Sequence, residues 1–171
     1  TGKQPHSQRL WPAENDHPSG TKRLRSGHTV AAVIGLDTNV LARYFIDEAG
    51  ADDATIKQRE AARTLLESGQ VLFIPKTVAL ELEWVLRGYY RFSRDQIGLV
   101  FDALLNLPTL QLEDRAAIEQ ALAGLRAGLD FADALHHASC RACTAIASFD
   151  QRSFANPARA LNLQPRVITP R

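Results

Sequence analysis

The sequence has little of what secreted and membrane-spanning proteins need. Only two cysteines occur among its 171 residues, Cys140 and Cys143, so the chain lacks the disulfide framework that small secreted domains use. No apolar run approaches the roughly 18 residues of a transmembrane helix, and no basic and then apolar signal segment opens the chain. We therefore expect a soluble, cytoplasmic protein without a membrane partner.

An excess of charge of one sign is also missing, because the formal net charge is only +1. This balance neither requires nor excludes a nucleic-acid partner, since local patches rather than totals set the field at a surface. Residues 1–29 are the exception, with five Lys or Arg against two Asp or Glu and few aliphatic side chains. Such a segment cannot bury enough apolar area to offset its chain entropy, and we expect a disordered basic leader.

Methionine is absent and the chain begins with Thr. Both features suggest an upstream extension ahead of a domain that spans residues 30–171. The composition of the whole chain, 45% hydrophobic and 23% charged, is that of one globular domain with a sizeable core.

Apolar runs and turn residues alternate along this domain. Short apolar runs predict strands at residues 30–36, 71–74, 110–112, 144–148 and 167–168. Helical spacing and capping residues predict helices at residues 38–45, 55–68, 77–90, 93–106, 114–125, 131–143 and 152–161. Strands that alternate with helices favour an α/β domain with a mostly parallel central sheet flanked by helices.

Four carboxylates stand at informative places in this pattern. Asp37 and Asp150 each follow a predicted strand, and ligands of parallel sheets bind beyond the carboxyl ends of the strands. Glu81 and Asp133 lie on two of the predicted helices. If the fold gathers these acids, their charges repel one another in a partly dry cleft, and a divalent cation is the simplest way to neutralise them. The pattern indicates a hydrolase dependent on Mg²⁺ or Mn²⁺.

The helical acids are less certain from periodicity alone. On the helix at 77–90, Glu81 lies on the border of the apolar stripe, either turned inward or extended to water, whereas Glu83 falls near the opposite side. The stripe itself comprises Val78, Leu82, Val85 and Tyr89. On the helix at 131–143, Asp133 shares with Asp130 and His137 a face away from the apolar stripe. That face is either solvated or, if this alanine-rich helix is covered on several sides, part of a cleft.

Four stretches of the sequence carry a specific resemblance. They are IGLDTNVLARYF (34–45), IPKTVALELEWVLRGYY (74–90), DFADALHHAS (130–139) and ASFDQRSF (147–154). Together they resemble, in order, the motifs of the PIN-domain ribonucleases, and among these the VapC-like toxins of bacterial toxin–antitoxin pairs. The resemblance implies a PIN-like three-layer fold and a metal-dependent endoribonuclease that cleaves RNA.

The same resemblance implies which residues form the site. Asp37, Glu81, Asp133 and Asp150 match the family's four acids, which would hold Mg²⁺ or Mn²⁺, and Asn39 is their polar neighbour. Ser148 precedes the last acid at a position where Ser or Thr is frequent. Asp130 is an auxiliary acid, either a helix cap or a water-mediated participant.

The resemblance also implies partners. It predicts a homodimer and a cognate antitoxin that inserts a segment across the acidic groove, with residues 55–68 and 84–92 as contact surfaces. RNA phosphates would meet arginines of the groove, and unpaired bases would stack on aromatic side chains. The candidates are Arg43, Arg87, Arg91, Arg94, Trp84, Tyr89 and Tyr90. The alternatives are solvated surface for the arginines and helix packing for the aromatics, which we favour for Tyr89.

Two other functions remain as alternatives. A catalytically inactive RNA- or protein-binding module on the same fold is the first, although such a module has no physical need for four clustered acids. A haloacid-dehalogenase-like phosphatase is the second, because the DTNV stretch after a strand is faintly similar to that family's motif. Asn39 stands where such a phosphatase has its second acid, which makes this reading weaker.

Overall fold

A computed structural model describes residues 9–10 and 32–171 of the chain. Seven α-helices and one short π-helix, Gln151–Ala155, occur in this part. The α-helices are α1 (Thr38–Phe45), α2 (Asp53–Leu66), α3 (Lys76–Gly88), α4 (Arg94–Leu105), α5 (Arg115–Arg126), α6 (Phe131–Ser139) and α7 (Asn156–Ala160). The strands are β1 (Arg9–Leu10), β2 (Val33–Gly35), β3 (Ile46–Asp47), β4 (Val71–Ile74), β5 (Leu110–Leu112), β6 (Ala145–Ala147) and β7 (Arg166–Ile168).

The central sheet is parallel. Its three strands have the order β2-β4-β5, with Val33 opposite Val71 and Leu72 opposite Leu110. Strands β6 and β7 form a second parallel pair, and β1 and β3 form a short antiparallel pair. The predicted α/β architecture, a mostly parallel sheet with helices around it in a PIN-like three-layer fold, is confirmed.

The hydrophobic core lies between the helices and the central sheet. Strand β4 contributes Leu72 and Ile74, both almost fully buried, as the middle strand of a parallel sheet should. Phe101 of α4 and Phe131, the first residue of α6, are fully buried with their ring centroids 5.1 Å apart. Because Phe131 lies between Asp130 and Asp133, this aromatic contact fixes the acidic end of α6 against the core.

Several predicted boundaries need correction. Helix α2 begins at Asp53, because the side chain of Asp52 accepts a hydrogen bond from the amide of Thr55 at 2.7 Å and caps it. Helix α6 ends at Ser139 rather than at residue 143. The Cys143 amide donates instead to the Cys140 carbonyl at 2.8 Å, so both cysteines lie beyond the last helical residue.

Two further expectations concern the segment before residue 30 and the possibility of a transmembrane helix. The predicted leader, residues 1–29, lies outside the described residues except for Arg9–Leu10, so its disorder stays a prediction. Within the described ranges, none of the helices has the length and apolar character needed to cross a membrane.

Candidate active site

Asp37 stands just beyond the carboxyl end of β2. The neighbouring Leu36 amide still donates to the Phe73 carbonyl of β4 at 2.9 Å, so Asp37 is the first residue past the sheet. Its carboxylate accepts hydrogen bonds from the Thr38 amide and from Asn39 Nδ2, each at 2.8 Å. Asp37 therefore caps α1, a role that the sequence had assigned to Thr38 or Asn39.

Thr38 connects Asp37 to Glu81. The Thr38 side chain is buried, and its Oγ1 donates a hydrogen bond of 2.6 Å to Glu81 Oε2. One residue thus binds both carboxylates, Asp37 through its amide and Glu81 through its hydroxyl. We call Asp37 and Glu81 the first acid pair.

Sequence reasoning missed Thr38 as a member of the site. A hydroxyl residue between Asp37 and Asn39, at the first turn of a helix, was the available signal, since such a side chain can hydrogen-bond either to its own backbone or across to another element. The choice between these partners depends on where α3 lies, which the local sequence does not encode.

The first acid pair opens into a cavity of about 390 Å³. Its lining includes Asn39 and Arg43 from α1 and Trp84 and Tyr89 from the α3 region. Arg43 is the one predicted groove arginine in this lining, and its Nε donates to Gln58 at 3.1 Å. Arg94 instead donates to the Leu125 carbonyl at 3.2 Å, across the end of α5.

The predicted buried face of α3 is wrong, because the face that packs against the core is displaced by about one residue around the helix axis. The side chains that α3 buries are Ala79, Leu82, Glu83 and Leu86. Tyr89, expected on the core stripe, is 73% exposed, whereas Tyr90 is buried. Helix α3 packs against α1, α4 and α6, so more than one side of it is covered. The apolar stripe in the sequence of α3 therefore does not mark its only buried face.

The same displacement reverses the predicted burial of the two glutamates of α3. Glu81 is exposed and lines the cavity. Glu83, which the helical periodicity of the sequence predicted to lie opposite the core, is only 1% exposed. Arg87, one turn later, donates from Nε to Glu83 Oε1 at 2.8 Å and thereby compensates the buried charge. Another guanidinium nitrogen of Arg87 lies 3.9 Å from Asp130 Oδ2, so this arginine spans from α3 to the start of α6.

Asp130, Asp133 and Asp150 form a second acid group. Burial, followed by the negative charges of Asp130 and Asp150, raises the pKa of the Asp133 carboxyl above its ordinary value. Asp130 caps α6 by accepting from the Ala132 amide at 2.9 Å, which is one of the two roles predicted for it. The like charges around Asp133 disfavour its ionised form, and a nearby cation would relieve that repulsion.

Asp150 is held by the turn that follows β6. Its carboxylate accepts from the Ser153 amide at 2.7 Å, and its own amide donates to Ser148 Oγ at 3.0 Å. Ser148 therefore orients the backbone of the last acid. Phe149, between them, is 79% exposed.

The face of α6 that carries Asp133 is only partly solvated. Asp133 is half-buried, and His137, one turn later on that face, is 1% exposed with its Nε2 2.8 Å from the Pro165 carbonyl oxygen. The chain after β6 covers this side, with Phe154 packed edge-on against the His137 ring. Of the two alternatives for this face, each holds in part: the Asp130 side chain keeps 44% of its exposure and Asp133 is half-buried, whereas His137 is covered.

Neither acid group is part of a metal-binding cluster of three or more side chains in the described part of the chain. Within residues 9–10 and 32–171, no three His, Cys, Asp or Glu side chains are placed so that they could hold a metal ion together. The donor chemistry of the first acid pair nevertheless fits a hard cation, because Mg²⁺ uses one or two carboxylates and keeps several waters. Asp37 and Glu81 supply two exposed carboxylates to one cavity, so they fit such an ion.

Comparison with known proteins identifies the fold family. The sequence model of the PIN domain matches residues 34–160, which is most of the chain and includes both acid groups. No curated protein and no solved structure matches the chain significantly. Members of the matched family are generally nucleases that use divalent metals such as Mg²⁺. The chain belongs to the PIN domain family.

Proposed function

We propose that the protein is an endoribonuclease dependent on Mg²⁺ or Mn²⁺ and the toxin of a VapC-like toxin–antitoxin pair in the cytoplasm. The observation that carries this proposal is the first acid pair: two carboxylates from separate elements line one cavity and are bound by a single residue, Thr38. Two exposed carboxylates on one cavity are oxygen ligands of the kind that hard divalent cations prefer.

Each acid has a distinct part in this proposal. Asp37 and Glu81 bind the principal cation, and Asp133 and Asp150 complete the site or hold a second ion. Asp130 caps the start of α6, the helix that carries Asp133, and Ser148 holds the backbone amide of Asp150. A divalent cation bound there lowers the pKa of a coordinated water and neutralises the charge that develops on the phosphate.

The chain's own contribution is the positioning of the acids. Thr38 fixes Glu81 with its hydroxyl, and Asn39 donates to the Asp37 oxygen that the Thr38 amide does not use. These hydrogen bonds restrict the rotation of both carboxylates, because each carboxylate is the acceptor of a donor held on α1. The first acid pair is thereby prepared for a cation and for an approaching phosphodiester.

The proposed antitoxin has a suitable groove beside the first acid pair. A cavity of about 520 Å³ lies between α1 and α2, with apolar walls from Val40, Ala61 and Leu65 and with Asn39 and Arg43 at its polar side. A partner segment in this groove would contact Asn39 and Arg43, which also line the cavity of the first acid pair, and one of its arginines could reach that cavity and take the cation's place. We also propose that the protein is a homodimer, as in the family it resembles.

Metal dependence gives the experiment that tests this function. RNA incubated with the purified protein should be cleaved internally in the presence of Mn²⁺ or Mg²⁺, should stay intact with EDTA, and should be cleaved again when Mn²⁺ is restored. The products are resolved on a denaturing gel. Cleavage that continues unchanged with EDTA would contradict the metal-dependent mechanism.

An inactive binding module on the same fold is the second candidate function. In residues 9–10 and 32–171, no three acidic, His or Cys side chains are placed to hold one metal ion, and this favours the binding module, because a metal-dependent active site needs enough ligands around one reacting phosphate. RNA that is bound but stays intact with every cation would support this candidate and would exclude the nuclease.

A further inference from the structure

Two large aromatic side chains stand exposed beside the first acid pair. Trp84 is 62% exposed and Tyr89 is 73% exposed, and both line the cavity that contains Asp37 and Glu81. Exposed apolar side chains gathered around one cavity mark sites of ligand or partner binding. Since the metal-ligating acids have no need of aromatic neighbours, the two rings indicate a further binding role for this cavity.

The cavity combines an apolar floor with a polar rim. Ala42 and Val85 form the floor, and Arg43 and Glu48 lie at the rim with Nη1 and Oε1 3.8 Å apart. An aromatic wall, an apolar floor and a few hydrogen-bonding groups are the composition of a small-molecule pocket, and about 390 Å³ is within the usual range for one. A planar heterocycle with donors and acceptors at its edge matches this composition.

The aromatic wall is held in place from below. The Tyr89 ring packs edge-on against Tyr90, with centroids 4.8 Å apart. Tyr90 is itself buried, and its hydroxyl interacts with Glu48. Tyr89 is therefore anchored by a fixed neighbour although its own face is free, which reduces the conformational entropy lost when a ligand stacks on it.

We propose that this cavity is a nucleobase subsite, in which one unpaired base next to the scissile phosphate stacks on Trp84 and Tyr89. The inference rests on the proposed function and names how its substrate is held. The first acid pair and the aromatic wall line the same cavity. A nucleotide whose phosphate lies at Asp37 and Glu81 therefore has its base within reach of Trp84 and Tyr89. A base in a duplex has both faces covered by its neighbours and cannot stack there.

Tryptophan fluorescence measures this stacking directly. The 171-residue chain has two tryptophans, so Trp11→Phe in this chain leaves Trp84 as its tryptophan reporter. Titration with single-stranded hexaadenylate RNA should quench Trp84 emission in the presence of Ca²⁺, a hard cation that neutralises the acids in place of Mg²⁺, and a denaturing gel checks that the RNA stays intact. An abasic hexaribose phosphate of equal charge should leave the emission unchanged. Equal quenching by both probes, or none by either, would overturn the subsite.

Variants of the wall give the second measurement. Stacking on one aromatic side chain contributes about 1–3 kcal/mol per base, so Trp84→Ala and Tyr89→Ala should each weaken binding of fluorescein-labelled hexaadenylate about tenfold by anisotropy. Trp84→Phe should retain most of the affinity. The matched control is Leu99→Ala on α4, an equally exposed apolar side chain that does not line the cavity, and it should not change the affinity.

The same variants distinguish a nucleobase subsite from a subunit interface and from the nuclease activity itself. If Trp84→Ala turns a dimer into a monomer in sedimentation without a change in RNA affinity, the wall is an interface between copies and the subsite is wrong. Base-dependent quenching without cleavage in any metal supports the subsite and contradicts the nuclease. Cleavage by Trp84→Ala with wild-type RNA affinity and rate supports the nuclease and overturns the subsite.

Discussion

Glu81→Gln is expected to lower metal-dependent RNA cleavage by about 100-fold or more. The substitution keeps the shape of the side chain and an oxygen that can accept from Thr38 Oγ1, but it removes the negative charge of one member of the first acid pair. Loss of a metal ligand or of an electrostatic group at a reacting phosphate typically costs about 10²–10³ in rate. Initial rates with saturating Mn²⁺ measure the effect, and the Tm should be little changed because Glu81 is exposed.

Glu83 and Glu119 provide the controls for this substitution. Glu83 is buried against Arg87 and does not line the cavity, and Glu119 is an exposed glutamate of α5 paired with Arg115 at 2.8 Å. Glu83→Gln and Glu119→Gln should keep cleavage within a few-fold of wild type. If Glu83→Gln abolishes cleavage and Glu81→Gln does not, the two glutamates have been assigned the wrong way round.

Phe101→Ala is expected to destabilise the protein by about 3–5 kcal/mol. Phe101 is fully buried against Phe131, and truncation of such a ring removes its transfer free energy and leaves a cavity. For a domain of this size each kcal/mol shifts the Tm by about 2–4 °C, so a fall of about 10 °C is expected in calorimetry. Because Phe131 begins the helix that carries Asp133, cleavage should also weaken well below the new Tm.

Leu99→Ala on the same helix is the matched control. Leu99 is 58% exposed, and surface substitutions usually change stability by no more than about 0.5 kcal/mol. Equal destabilisation by the two variants would mean that the contact between α4 and α6 does not hold the acidic end of α6 in the core.

Much of the fold follows from local signals. Strand β4 and helices α4 and α5 have nearly the predicted bounds, because their caps and breaks are encoded within a few residues. Ser93 illustrates this: its hydroxyl accepts from the Gln96 amide while the Gln96 side chain accepts from the Ser93 amide, which together form a capping box. Such signals require no knowledge of the rest of the chain.

The burial of charged side chains could not be predicted in the same way. Glu83 lies opposite the widest apolar stripe of α3 and is nevertheless buried, because three helices surround α3 and Arg87 supplies a counter-charge. His137 is buried because the Pro165 carbonyl, 28 residues later, comes within 2.8 Å of its ring. In both cases the decisive partner is supplied by tertiary packing, which a helical wheel does not include.

The candidate site also has features that the local sequence predicts and features that depend on tertiary packing. The motif positions gave the candidate acids, whose roles stay predictions, and the strand-end rule correctly placed Asp37 just beyond β2. The role of Thr38, which binds both members of the first acid pair, depends on the distance between α1 and α3 and became visible only with the fold. Residue types therefore indicated a chemistry that stays a prediction, whereas the structure supplied the hydrogen bonds between those residues.

The most direct test of the proposed metal site is a calorimetric titration of the protein with Mn²⁺, in the absence of RNA, alongside Asp37→Asn. The central claim is that Asp37 and Glu81 bind a divalent cation in their shared cavity. Wild-type protein should bind Mn²⁺ saturably, and Asp37→Asn should weaken the affinity about 10- to 100-fold while its circular dichroism spectrum stays unchanged. Saturable binding of equal affinity to both proteins, or no binding to wild type, would contradict it.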